Sequence, residues 1–153
     1  MDKKVVDLNF FSIYFVNNHP GYEFIKKIMD DGLNGSFKLI IPEYLPFRAY
    51  WILSSKWKLQ KKEVKGLIND FVNNYSGPDY IGLERESIIE AFRYSDELNH
   101  DIYDCFYLAL AKQEMASSIL TTDTDFEKLC KSIGLKYENP VPIEILKKFV
   151  EFK

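Results

Sequence analysis

The chain has 153 residues, 46% of them hydrophobic and 16% aromatic, which is enough apolar material for one packed domain and too much for a disordered tail. With 20 Lys and Arg against 23 Asp and Glu the formal net charge is −3, so a polyanion partner would need a local basic patch rather than the field of the whole molecule. No apolar run approaches the roughly 20 residues of a membrane-spanning helix, the apolar part of MDKKVVDLNFF is too short for a signal peptide, and the cysteines form no CxxC pair.

The expectation from these features is a cytoplasmic chain with no membrane partner, whose Cys105 and Cys130 are buried or half-buried reduced thiols. Residues Lys4 to Leu8 (KVVDL) read as a short apolar strand carrying one acid, Asp7, near its end. After Asn9, the apolar and aromatic residues from Phe10 to Phe15 suggest a first helix, closed by the turn cluster Asn17-Asn18-His19-Pro20-Gly21. A second helix runs from Tyr22 to Asp31, with Phe24, Ile25, Ile28 and Met29 at helical spacing. Gly32, Asn34 and Gly35 then break the chain, and FKLIIP reads as a buried strand closing at Pro42, with Glu43 just beyond it. The segment EYLPFRAYWILSSKW looks helical, with Pro46 in the first turns, where a missing N–H costs nothing.

Gln60 to Tyr75 places Val64, Leu67, Ile68, Phe71 and Val72 on one helical face and ends at Ser76-Gly77-Pro78. A brief strand from Tyr80 to Leu83 leads into a helix from Glu84 to Leu98. The stretch DIYDCFYLALAKQEMASSILTTDTDFEKL follows, and the rest of the chain is organised around it. Asp101 sits where an N-cap belongs and Asp104 at the N3 position, ahead of the apolar run CFYLALA, in which Tyr103, Phe106, Tyr107 and Leu110 read as core. The strand SSILTT ends where Asp123 begins, and Asp123 and Asp125 lie in the turn that enters the next helix. Leu135 to Tyr137 gives a last strand, and Pro140 and Pro142 precede a terminal helix, IEILKKFVEF. No repeat or linker divides residues 1–153, so they read as a single domain. Strands alternating with helices imply a parallel sheet covered on both faces.

Four acids stand at element ends: Asp7, Glu43, Asp104 and Asp123. If they converge, their mutual repulsion calls for a cation, because carboxylates a few ångströms apart do not all stay ionised. Hard oxygen ligands without cysteine or paired histidines suit Mg²⁺ or Mn²⁺, and such ions serve hydrolytic phosphodiester cleavage. Each acid also has a plainer reading. Asp7 can cap the helix after it, Glu43 is as readily a helix-start acid as a ligand, Asp101 is fully explained as an N-cap, Asp104 can be its capping-box partner, and Asp123 and Asp125 can open a helix. Of these, Asp125 is the more structural. His19 and His100 read as loop residues, with His100 beside Asp101 a conceivable proton shuttle.

The ordered set VVDLN, IPEYLPFRAYWIL, HDIYDCFYLALA and ILTTDTDF, spread from residue 5 to residue 126, resembles the PIN-domain family, including the VapC-type toxins of toxin–antitoxin pairs. The most specific part is Asp104 to Ala111 followed by a strand and Thr121 to Phe126. The resemblance implies a three-layer α/β/α domain with a central parallel sheet of about four to five strands, a divalent-metal ribonuclease activity, an antitoxin partner and frequent homodimers. Carried over by position, Asp7, Asp104 and Asp123 would be metal ligands, with Asp125 an accessory neighbour. One departure stands out: the gapless register puts Arg48 where the family usually has a glutamate, and Glu43 lies five residues earlier. Five residues turn a helix by about 500°, so the two point in different directions. Arg48 could enter the acid cluster in place of an ion, or hold a substrate phosphate.

From Arg48 to Lys65 the chain carries Lys56, Lys58, Lys61 and Lys62 with Trp51 and Trp57 interleaved, the ingredients of a surface for single-stranded RNA. A solvated helix pair with its tryptophans in the core or a dimer interface is the alternative. Two functional readings follow: a Mg²⁺- or Mn²⁺-dependent endoribonuclease, and a catalytically degenerate module that binds RNA or a protein. A receptor for a phosphorylated ligand is more remote, since no glycine-rich phosphate loop occurs.

Overall fold

Val5, Val6, Ile40, Ile41, Ile119 and Leu120 have no exposed surface, the condition of strands whose sheet is covered on both faces. In the computed structural model, which describes residues 1–152, they belong to a sheet of five parallel strands: β1 (Lys3–Val6), β2 (Lys38–Pro42), β3 (Asp79–Ile81), β4 (Ser118–Leu120) and β5 (Lys136–Glu138). The order is β3-β2-β1-β4-β5, with Val5 in register with Ile40 on one side and Ile119 on the other. The chain builds outward from β1 through β2 to β3, then returns to add β4 and β5 on the opposite side. The boundary between β1 and β4 is therefore the switch point, where parallel sheets open a crevice beyond the strand ends.

Helices α1 (Leu8–Ile13), α2 (Tyr22–Leu33), α3 (Leu45–Trp51), α4 (Lys61–Asn74), α5 (Arg85–Leu98), α6 (Ile102–Gln113) and α7 (Phe126–Ser132) complete a three-layer α/β/α domain. Their bounds follow the sequence expectation to within a few residues, and three differences carry physical content. The first strand stops at Val6 rather than Leu8, because the Asp7 carboxylate accepts the Phe10 N–H at 2.9 Å and starts α1 at once. The helix after β2 does not stay regular: Ile52–Lys56 is a π turn, in which the Trp57 N–H reaches the Ile52 carbonyl at 2.9 Å.

The third difference lies at the C-terminus, where IEILKKFVEF forms one α turn, α8 (Ile143–Leu146), and a 3-10 turn over Phe149–Glu151. None of its residues is buried, so nothing repays the order of a longer helix. Phe149 and Phe152 turn instead onto the His19 ring, each at a centroid distance of 4.5 Å. His19 is consequently buried, not a solvated loop residue. Its Nδ1 accepts the Gly21 N–H at 3.0 Å, and burial pulls its pKa from 6.5 to about 4.

Helix α6 packs on β1, β4 and α5, and its Leu108, Leu110 and Ala111 have no exposed surface. Cys105 and Cys130 are both free and buried, and burial raises their thiols to about 11 and about 12, which leaves them unreactive near neutral pH.

Candidate functional site

The register that pairs Val6 with Leu120 brings the ends of β1 and β4 level, and the Asp7 N–H donates to the Leu120 carbonyl at 3.1 Å. Asp7 and Thr121 are then neighbours across the switch point. The Thr121 hydroxyl donates to Asp7 Oδ2 and accepts the Asp123 N–H at 2.9 Å, so one side chain fixes two acids. Asp104 approaches from the first turn of α6, which packs over these strands. Asp7, Asp104 and Asp123 all line one cavity of about 560 Å³, together with Asn9, Tyr44, Arg48 and the aromatic residues Tyr103, Phe106 and Tyr107.

The electrostatics of this cavity favour neutralisation. Burial raises Asp7 from the usual 3.8 to about 7; the Thr121 and Phe10 hydrogen bonds oppose the shift, and the charges of Asp123 and Asp104 add to it. Asp104 is raised as well, chiefly by burial and then by the Asp123 charge, against a hydrogen bond from His100. His100 Nε2 stands 2.8 Å from Asp104 Oδ2, so the capping box expected between Asp101 and Asp104 does not form. Asp101 alone caps α6, accepting the Tyr103 N–H at 2.7 Å.

The other residues singled out in the sequence fall elsewhere. Glu43 is exposed and lies over Gly82, in a separate groove lined by Phe47, Tyr50 and Tyr80, and it does not line the acid cavity. Asp125 is exposed beside Thr124 and Lys128, although its N–H donates to Asp123 Oδ1 at 2.9 Å and so helps orient that carboxylate. Lys56, Lys58, Lys61 and Lys62 are exposed and none lines the cavity; Lys56 is eight residues on from Arg48, about 12 Å along the helix. Trp57 packs against His19 and Phe152, whereas Trp51 is half exposed.

Arg48 does line the cavity, but no salt bridge among the described residues joins it to an aspartate. Its guanidinium lies over the Trp51 ring, 5.4 Å from the centroid. Arg48 therefore does not serve as an internal counterion for the three acids.

The sequence singles out His100 beside Asp101, whereas its partner is Asp104, and it gives no place in the site to Thr121, Tyr44 or Tyr107. Tyr107 is three residues after Asp104, on the same helical face, and its hydroxyl receives the Leu8 N–H at 3.2 Å and lies 3.3 Å from the Tyr44 hydroxyl. Thr121 carried the signal of a hydroxyl two residues before Asp123, the spacing of a side-chain to backbone turn.

A metal fit can be tested on these observations. The donors are hard oxygens, two of the three carboxyls are pushed toward protonation by burial and mutual charge, and a divalent cation relieves that strain; in chemistry the residues fit Mg²⁺ or Mn²⁺. As placed, no three acids, histidines or cysteines among the described residues form a closed cage.

Comparison with known proteins gives three findings. The model of the PIN domain matches residues 4–132. The structure resembles that of the sarcin–ricin-loop-cleaving toxin VapC20 of Mycobacterium tuberculosis, at 10% identity and a TM-score of 0.65, over 82% of this chain and 94% of that one. It also resembles VapBC2 from Rickettsia felis, solved bound to a DNA fragment from its promoter, at 16% identity and a TM-score of 0.66, over 90% and 98% of the two chains. No curated protein matches by sequence.

Proposed function

The chain belongs to the PIN-domain family, and from that premise we propose that it is a divalent-metal-dependent endoribonuclease, of the kind that serves as the toxin of a toxin–antitoxin pair. The observation that carries the reading is the convergence of Asp7, Asp104 and Asp123 from three separate elements on one cavity. These three would hold Mg²⁺ or Mn²⁺. Bound there, the ion would supply a Lewis acid that activates water and offsets phosphate charge.

The chain's own groups supply the rest of the arrangement. Thr121 holds Asp7 and Asp123 in fixed relation, His100 orients Asp104, and the Asp125 N–H orients Asp123. Arg48, held over Trp51, faces the cavity with an unpaired guanidinium and binds a phosphate oxygen of the substrate. Tyr44, Phe106 and Tyr107 form an apolar wall that limits water around the acids, where electrostatic interactions gain strength. The lysines Lys56, Lys58, Lys61 and Lys62 would steer RNA from outside the cavity.

The same reading includes residues 1–153 as one domain, a cytoplasmic place, an antitoxin partner and a homodimer. No helix among the described residues is long and apolar enough to cross a membrane. Exposed Ile89 and Phe92 on α5 offer apolar surface for a protein contact.

The test is incubation of the purified chain with end-labelled single-stranded RNA in Mn²⁺ or in chelator. Cleavage that needs Mn²⁺ and disappears in Asp104→Asn supports the nuclease. A second reading, a non-catalytic binding module, is favoured by the open cage. Firm RNA binding with neither cleavage nor Mn²⁺ uptake would establish it instead.

A further inference from the structure

Tyr103 is expected in the core from its helical spacing, yet its side chain is 76% exposed. It stands one residue before Asp104, in the first turn of α6, where the Asp101 cap fixes the backbone. Its ring lines the mouth of the acid cavity and continues into a shallow apolar groove that includes Phe92 and Phe106. An aromatic ring held on a rigid helix end, mostly in water, beside three carboxylates contributes little to packing.

The Arg48 guanidinium lines the same cavity, backed by the Trp51 ring and with no acid partner among the described residues. Asp7 lines this cavity and is only 5% exposed, so a phosphate reaches it more readily from a flexible strand than from a straight, stacked duplex. A flexible strand can bend in. Its phosphate then meets Arg48 beside the carboxylates, and the adjoining base, freed from its neighbours, needs a flat apolar surface. Tyr103 is the exposed aromatic face at that position.

We propose that Tyr103 is a base-stacking residue that selects an unpaired nucleotide next to the scissile phosphate, with Arg48 as the phosphate clamp in the same cavity. The substrate class is single-stranded RNA, and the proposal rests on the nuclease reading for the identity of the polymer. Stacking on one aromatic side chain changes binding by about 5- to 100-fold, and every base has a face to offer, so Tyr103 selects for strandedness more than for sequence.

The experiment uses the full chain with a short single-stranded RNA carrying 2-aminopurine, in Ca²⁺ for binding and in Mn²⁺ for cleavage. The wild type should quench 2-aminopurine at one position, and Tyr103→Ser should lose the quench and bind 5- to 100-fold more weakly, with cleavage losing mainly in KM. Tyr103→Trp should keep both, and duplex RNA of the same sequence should give no quench. Quench and tight binding without Mn²⁺-dependent cleavage would uphold the stacking role while removing the catalytic reading. Equal binding and cleavage by Tyr103→Ser would overturn the stacking role and leave catalysis standing. So would a wild-type dimer that Tyr103→Ser converts to monomer, since the ring would then serve a contact between copies of the chain.

Discussion

The Thr121 hydroxyl donates to the Asp7 carboxylate across the boundary between β1 and β4, joining residues 114 positions apart in the chain. That hydroxyl also holds the Asp123 backbone, so one side chain sets the placement of both acids. The cost appears in Asp7, a buried carboxyl whose pKa stands at about 7.

Asp7 therefore weakens the metal-free fold at alkaline pH. The folded state keeps a proton that the unfolded chain, with a carboxyl of ordinary pKa 3.8, has released. The contribution of Asp7 favours folding below about pH 4 and is lost as pH rises through about 7. In chelator, Asp7→Asn is expected to stabilise the domain at pH 8 by on the order of 2–3 kcal/mol and to change little at pH 4. Urea unfolding at the two pH values measures the difference, and saturating Mn²⁺ should reverse its sign.

His19 makes the opposite contribution at acid pH. Its folded pKa of about 4 lies below the ordinary 6.5, so the unfolded chain takes up a proton first and stability falls as pH drops from 6.5 to 4. The loss is expected to reach on the order of 2–3 kcal/mol. His19→Phe should flatten this part of the urea-midpoint profile, at a constant cost of about 1 kcal/mol for the unpaired Gly21 N–H.

Arg48→Glu should move two properties in opposite directions. A fourth carboxylate at the cavity wall should tighten Mn²⁺ binding several-fold, and loss of the guanidinium should weaken RNA binding by about 10-fold or more. Calorimetric titration with Mn²⁺ and anisotropy with labelled RNA read the two effects separately.

Glu43 provides the control. Its carboxylate lies over Gly82 and outside the acid cavity. Glu43→Gln is expected to change Mn²⁺-dependent cleavage by less than about 2-fold, whereas Asp104→Asn should cost on the order of 100-fold or more. Gly82→Ala should also be mild, because the clashing atoms belong to the movable end of Glu43.

The parallel sheet and the meeting of Asp7, Asp104 and Asp123 were legible because each depends on local signals: apolar strands that stop at an acid, and a capped apolar helix. Glu43 stays open in the sequence for the same reason, since an acid after a strand looks alike whichever way its side chain turns. The direction is set by the entry of α3, which sends Arg48 toward the cavity and leaves Glu43 over β3 and Gly82. Beside Pro20 and Gly21, His19 has the local signature of a turn residue, and its burial comes from Trp57, Phe149 and Phe152, distant in sequence. Tyr103 sits at the edge of an apolar helical stripe, and only the placement of α5 decides that its ring faces water. The π turn at Ile52–Lys56 has no periodic signature at all.

The most direct measurement is calorimetric titration of the metal-free chain with Mn²⁺ at pH 7.5, beside Asp123→Asn and Asp104→Asn. The expected result is saturable binding to the wild type, with release of protons from the acid cluster, and at least about 10-fold weaker binding in each variant. A wild type that takes up no Mn²⁺, or variants that bind it equally well, would contradict the claim that these three aspartates form one cation-binding centre.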